Sequence, residues 1–434
     1  MPEKTRSPLW LASALALALS AGSAIGAPSA LEQADMPHWV LAQSSFQLEV
    51  TVLSIEEKPL TEQITNVWHR VRIDQVMVGD GLTVGEETAV VSQLRVNAPG
   101  TVGSSGDRGP FHGPNGLPLK GDRARLFASG SASTLKTLSP NGWQLAKPLL
   151  AFVAADDEYR SEITMPFLAG LVERAGIART AVHFATGDDG RGSPLAEPDI
   201  AARTSLTSAW ELRGADGSVL YMRFRELESN ALNAFDEATN HGLPLVGFRT
   251  STHAFRYSPG PGAGRWNEQF PREQFGTGWS FHHGHTSTTR ILPPTGEAAR
   301  HPVLAGVTIP AEGIIVPSWL YNVEPLAADC HVLLWGEAVD SERTDAPQRQ
   351  PILWVREVAR TRSATTTSGE SNAFTLPPQR IAFSTLGHPG DFANAEVRLM
   401  AVQMCAWAMR AEAAMTEAAR AAVRAAVFDA PGTR

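Results

Sequence analysis

The feature that most constrains this chain is a change of hydrophobic pattern near residue 148. Before it, apolar residues alternate with polar ones, the period of a half-buried strand. After it they gather into short unbroken runs: LLAFVAA (149–155), SVLYM (218–222), LPLVGF (243–248) and RIAFS (380–384). Such runs suit strands covered on both faces. The 434 residues are also too many for one compact core, so two architectures are expected in series.

Over 45–147 the pattern predicts a small all-β barrel or sandwich. Phe46, Leu48, Val50 and Val52 alternate, VWHRVRIDQVM (67–77) repeats the alternation, and residues 87–96 and 123–128 supply further strands. Gly79-Asp80-Gly81 and Lys120-Gly121-Asp122 supply turns. Reactive side chains do not cluster here, which suits a module that docks a protein or another partner.

Over 148–412 apolar strands alternate with helices. Residues 162–175 have helical spacing and end at Gly176. Ser229 caps a helix presenting Leu232, Phe235 and Ala238, and Asn394 caps another through Val397, Met400, Met404 and Trp407. With further strands at 332–335 and 352–355, this predicts a doubly wound, mostly parallel sheet. An Ala-rich helical tail follows over 413–434.

Lys4 and Arg6, an apolar stretch over 9–19 and small residues over 21–27 have the order of a secretory signal peptide. The expectation is a periplasmic or secreted protein with residues 1–27 removed; the alternative is an uncleaved N-terminal anchor. Later runs are too short or too polar to form a transmembrane span. The balance of 37 Lys+Arg against 45 Asp+Glu, with no long basic run, excludes a phosphate-tracking nucleic-acid binder. After Lys147 there is no lysine, so the larger part of the chain has neither a Schiff-base nor a Walker-type lysine. Cys330 and Cys405 are the only cysteines. They allow no thiolate metal cluster, and both read as small buried hydrophobes.

A polar cluster begins where each apolar run stops: Asp156 to Arg160, Arg223 to Glu226, Arg249 to His253, and Thr385 to Pro389. Ligands of open α/β sheets bind outside the carboxyl ends of the strands, so parallel strands would gather these clusters around one crevice. Asp157, Tyr159, Arg160, Arg223, Arg225, Arg249 and Thr252 are then candidates to hold a polar substrate, with His253, His388, His283 and Glu158 as acid–base groups. The competing reading pairs the arginines with the neighbouring acids in structural ion pairs. In FHHGH (281–285), an extended backbone would put His283 and His285 on one side, to share a divalent metal or a substrate hydroxyl, or to order a loop. Beyond that metal, no cofactor is implied. Residues 257–279, rich in Gly, Pro and aromatics, read as a lid, with Trp279 suited either to sugar stacking or to core packing.

Taken in order, DDEYRSE (156–162), MRFRELE (222–228), LVGFRTSTHAF (245–255), HHGH (282–285), HPV (301–303) and STLGHPGDF (384–392) resemble the trehalose-utilisation (ThuA-like) family, its exported members in particular. The resemblance spans 147–412. It implies a flavodoxin-like sheet of the class I glutamine amidotransferase type, lacking the nucleophilic cysteine. It also implies a role in disaccharide, glycoside or keto-sugar catabolism, as an isomerase, lyase or hydrolase. Phe248-Arg249 stand where simpler members carry a histidine after the elbow glycine. The alternative is a non-catalytic carbohydrate-binding or scaffold protein on the same fold.

Overall fold

The computed structural model describes residues 44–430 except 62–63, 97–110, 113–116, 119, 139–142, 146–147, 188–197, 208, 210–211, 213–214, 241 and 366–370. The leader, most of the Gly/Pro-rich stretch 97–118 and the last four residues lie outside the described residues.

The alternating region forms seven strands: β1 (Phe46–Thr61), β2 (Ile64–Val78), β3 (Glu87–Val96), β4 (Phe111–His112), β5 (Arg123–Ser131), β6 (Thr134–Thr137) and β7 (Trp143–Leu145). They run in the order β1-β2-β3-β6-β5, and pairing of β1 with β5 closes the ring into a five-stranded barrel. Its interior is filled by the apolar half of the alternation, Leu48, Val50, Val67, Val71, Val90 and Leu126 among them. His69 is fully buried there, with its ring 5.1 Å from that of Trp143.

The apolar runs form a ten-stranded mixed sheet. Its strands are β8 (Leu149–Ala155), β9 (Arg179–Thr186), β10 (Ser205–Leu206), β11 (Gly217–Met222), β12 (Leu245–Phe248), β14 (Thr288–Ile291), β15 (Ile314–Val316), β17 (His331–Val339), β18 (Arg349–Thr365) and β19 (Ser371–Ser384). The short strands β13 (Phe281–His282) and β16 (Tyr321–Asn322) pair apart from it. β9, β8, β11, β12 and β19 are successive parallel neighbours. In chain order this is 2-1-3-4-5, the arrangement of flavodoxin-like sheets. The other half departs from the expected mostly parallel sheet, because the runs at 332–335 and 352–355 belong to antiparallel strands. An unbroken apolar run records burial on both faces but carries no information about strand direction.

Successive residues of the parallel strands feed two cores. Phe152, Val219 and Phe248 pack with α1 (Ser161–Arg174) and α4 (Ala395–Ala408). Val153, Leu220 and Leu245 pack on the other face with α2 (Ser229–Asn240) and α3 (Phe270–Phe275). Asn394 caps α4, its Oδ1 accepting from the N–H groups of Glu396 and Val397 at 2.9 and 3.3 Å. Part of the tail forms a last helix, α5 (Glu417–Ala425).

Most of the expected lid belongs to the core. Trp266 lies 5.0 Å from Phe255, and Phe275 lies 4.7 Å from Phe383, ring to ring. Within that aromatic stretch Trp279 stays at the surface, 36% exposed. The barrel meets the sheet away from its carboxyl rim: Arg179, at the start of β9, pairs with Asp122 in the turn before β5.

Candidate active site

β12 ends at Phe248, and the chain turns sharply into a short 3₁₀ turn, Arg249–His253. Arg249 takes a left-handed backbone, φ 42°, uncommon for a residue with a side chain. Gly247 permits the close approach: a Cβ there would lie 2.5 Å from Phe275 and 2.6 Å from Phe383. This is a strand-to-helix elbow with an arginine at its apex. The Arg249 side chain runs inward and is fully buried. Nη1 donates to the carbonyls of Trp319 (3.2 Å) and Thr385 (3.1 Å), and Nη2 donates to the Tyr159 hydroxyl (3.0 Å). The guanidinium carbon lies 4.3 Å from the ring centre of Tyr159 and 4.4 Å from that of Tyr321. Arg249 is therefore a buried cation that joins three loops, and it offers no exposed fork to a substrate.

Two buried carboxylates lock the same loops. Asp156 accepts the N–H groups of Glu158 (2.9 Å) and Tyr159 (2.5 Å) and the Thr250 hydroxyl (2.6 Å), joining the first cluster to the elbow. Burial raises its pKa to about 6, against the pull of those hydrogen bonds. Asp391 accepts from the Ser318 amide (3.0 Å), the Ser318 hydroxyl (2.5 Å) and the Gly387 amide (2.8 Å). It thereby joins the His388 loop to the segment that carries Trp319 and Tyr321.

Around this framework the rings form one continuous cluster. Trp279 lies 4.7 Å from His253, His253 6.1 Å from Tyr321, and Tyr159 6.3 Å from His388. On the other side Trp319 lies 5.9 Å from Tyr159, 4.9 Å from His282 and 4.3 Å from His285. The structure thus brings together Tyr159, Arg249, His253, Trp279, His285 and His388, whose positions span more than half the chain. Three of the imidazoles are held neutral. Burial, then the charges of Arg223 and Arg249, lowers His253 to about 3; burial and then His285 and Arg249 lower His282 to about 4; burial and then Arg249 lower His388 to about 4.

Hydrogen bonding fixes two of these rings further. His388 Nδ1 accepts the Gly390 N–H at 3.0 Å, and His282 Nδ1 accepts the Gly284 N–H at 3.1 Å. A neutral ring that accepts at Nδ1 carries its proton on Nε2. His388 and His282 are therefore N–H donors, able to polarise a carbonyl as a neutral imidazole does. His253 has only a long 3.4 Å contact between Nδ1 and the Thr252 hydroxyl, so a ring nitrogen remains to accept a proton.

Several expected roles are corrected by these contacts. His283 does not share a side with His285. It is buried, with Nδ1 2.8 Å from Ser341 Oγ, because Gly284 at φ 106° breaks the extended backbone. His282 is the ring beside His285, at 4.8 Å. Among the described residues, no group of three or more His, Cys, Asp or Glu could hold a metal ion. Arg223 bonds Asp157 at 3.1 Å and Glu158 at 2.9 Å, so all three spend their charge on one another. Arg225 is buried and donates to the carbonyls of Arg223 (2.6 Å) and Ile200 (3.0 Å). Arg160 stands just before α1 and bonds Glu162 at 2.8 Å. The Thr252 hydroxyl donates to the Arg249 carbonyl at 3.2 Å, and Ser251 Oγ donates to the Leu220 carbonyl at 2.8 Å, leaving no serine nucleophile. The thiols are unreactive: burial raises Cys330 to about 11 and Cys405 to about 12. Sequence reasoning missed Asp156, Asp391, His282, Trp319 and Tyr321. The aromatic run in PSWLYN (317–322) was the available signal.

No family model matches the chain, and no curated protein does. Among solved structures it is similar to a protein named as ThuA-like from Bacteroides uniformis ATCC 8492, with 13% identity and a TM-score of 0.37 over 63% of this chain and 96% of that one. It is also similar to one so named from Parabacteroides merdae ATCC 43184, with 13% identity and a TM-score of 0.38 over 61% and 90%.

Proposed function

We propose that this is an exported, ThuA-like protein of carbohydrate catabolism, with an amidotransferase-like sheet turned to other chemistry. It acts on a disaccharide, glycoside or keto-sugar at the carboxyl rim of the parallel strands. The observation that carries the reading is the set of neutral imidazoles, two of them fixed as Nε2–H donors, beside the buried Arg249 cation. In this reading His388 and His282 donate to a carbonyl oxygen and His253 removes the proton from the adjacent carbon. The field of Arg249 favours the enolate that results. Trp279 and Trp319 offer stacking faces for sugar rings.

The second reading, a non-catalytic sugar-binding protein, draws support from the pairing of Glu158 with Arg223 at 2.9 Å, which occupies the rim carboxylate. Calorimetry against sugars and 3-keto-sugars, with product analysis, separates the two: binding with turnover supports the enzyme, binding alone the second reading, and no interaction defeats both. Recovery of the mature chain from the periplasmic or culture fraction tests export.

A further inference from the structure

The barrel contains a surface that the rim chemistry does not use. Its strand order, with β3 and β6 paired in parallel between antiparallel neighbours, is the connectivity of an OB-type barrel. Such barrels bind oligonucleotides or oligosaccharides on the outer face of the second and third strands.

Along β2 the inward residues Val67, His69 and Val71 are buried, so Trp68 and Arg70 face outward and Trp68 is only half-buried. Val91 of β3 stands opposite Trp68, and Glu56 of β1 stands on its other side. An amide pair adjoins the indole, Gln93 Nε2 donating to Asn66 Oδ1 at 3.4 Å, and Lys58 Nζ lies 5.8 Å from the ring centre. The charges on this face cancel locally: Lys58 with Glu56 at 3.0 Å, Arg70 with Glu87 at 2.6 Å, and Arg72 with Asp74 at 3.2 Å.

A face without net field cannot track a phosphate backbone. An indole with one aliphatic neighbour, fringed by amides and paired charges, instead matches a sugar ring, which has an apolar C–H face and a rim of hydroxyls. We propose that the β2–β3 face around Trp68 binds a neutral oligosaccharide. The site is separate from the carboxyl rim, since the barrel meets the sheet at the start of β9 through Arg179 and Asp122. It would hold a glycan while the rim acts on smaller sugars.

The test is affinity electrophoresis of the full-length chain in gels containing dextran, soluble starch, laminarin or glucomannan, with oligo-dT as the nucleic-acid probe. The proposal expects retardation by at least one glucan, weakened about tenfold or more in Trp68→Ala. Trp68→Phe should keep most of it, and Gln93→Ala, a surface change, should weaken it less. Thermal melts establish that each variant is folded. Retention should persist in His388→Ala, so failure at the rim and failure on the barrel are read separately. The proposal is overturned if no glucan binds, if folded Trp68→Ala binds as the parent does, if oligo-dT is the ligand retained, or if Trp68→Ala instead changes the oligomeric state in sedimentation.

Discussion

Asp391 accepts two hydrogen bonds from one residue, Ser318: the amide at 3.0 Å and the hydroxyl at 2.5 Å. With the Gly387 amide as its third donor, this fully buried carboxylate sets the distance between His388 and Trp319. Asp391→Ala leaves three donors unpartnered and should cost about 3 kcal/mol in urea unfolding. Asp391→Asn, which keeps one acceptor, should cost less. A loss below about 1 kcal/mol for the alanine variant would mean that the two loops hold themselves.

Arg249 lowers its neighbours' basicity without touching a substrate. Arg249→Met should raise the pKa of His388 and of His253 toward 6.5, since a buried positive charge beside each ring disappears. The variant also gives up hydrogen bonds to Trp319 and Thr385. NMR titration of the imidazole C–H signals checks the direction, and unchanged values would remove Arg249 as their electrostatic cause.

Gly387 has no room for a side chain: a Cβ would lie 2.7 Å from the Tyr221 hydroxyl and 3.0 Å from Arg249 Cβ. Gly387→Ala should therefore destabilise the fold by about 1–3 kcal/mol and displace His388. Chemical denaturation measures the first effect. A moved His388 resonance reports the second.

Stability should fall in acid. His69 and His183 are fully buried, and burial lowers each from 6.5 to about 4. Depressed folded values give stability that is present above about pH 6.5 and lost as pH falls toward 4, at about 1.4 kcal/mol per pH unit for each ring. Asp156 acts in the opposite sense: raised from 3.8 to about 6, its contribution is present below about pH 4 and lost as pH rises through 6. The two imidazoles outweigh it. Melting temperature should drop from pH 7 to 4.5, and His69→Gln should flatten the slope.

The legible part of the fold was what hydrophobic period encodes. LLAFVAA and SVLYM fixed two neighbouring buried strands, and Asn394 announced a helix start that the backbone then uses. Strand direction was not legible, because β17 and β18 bury both faces as parallel strands do. Barrel closure depends on β1 pairing with β5, some seventy residues on, and alternation assigns faces rather than partners. In the site, the clusters at the strand ends pointed to the carboxyl rim. The choice between His282 and His283 turned on one backbone angle at Gly284, which residue types do not disclose. Arg249 read as a ligand fork because its burial is a tertiary fact, set by Tyr159 and Tyr321 from distant segments.

The central claim is that a base at His253 and donors at His388 and His282 act on the carbon beside a sugar carbonyl. Proton NMR of 3-keto-glycosides in D₂O with the purified chain tests it directly. The account predicts enzyme-dependent loss of the signal beside the carbonyl, abolished in His253→Ala and reduced about a hundredfold or more in His388→Ala. Absence of exchange with the parent chain, or exchange that both variants retain in full, would contradict it.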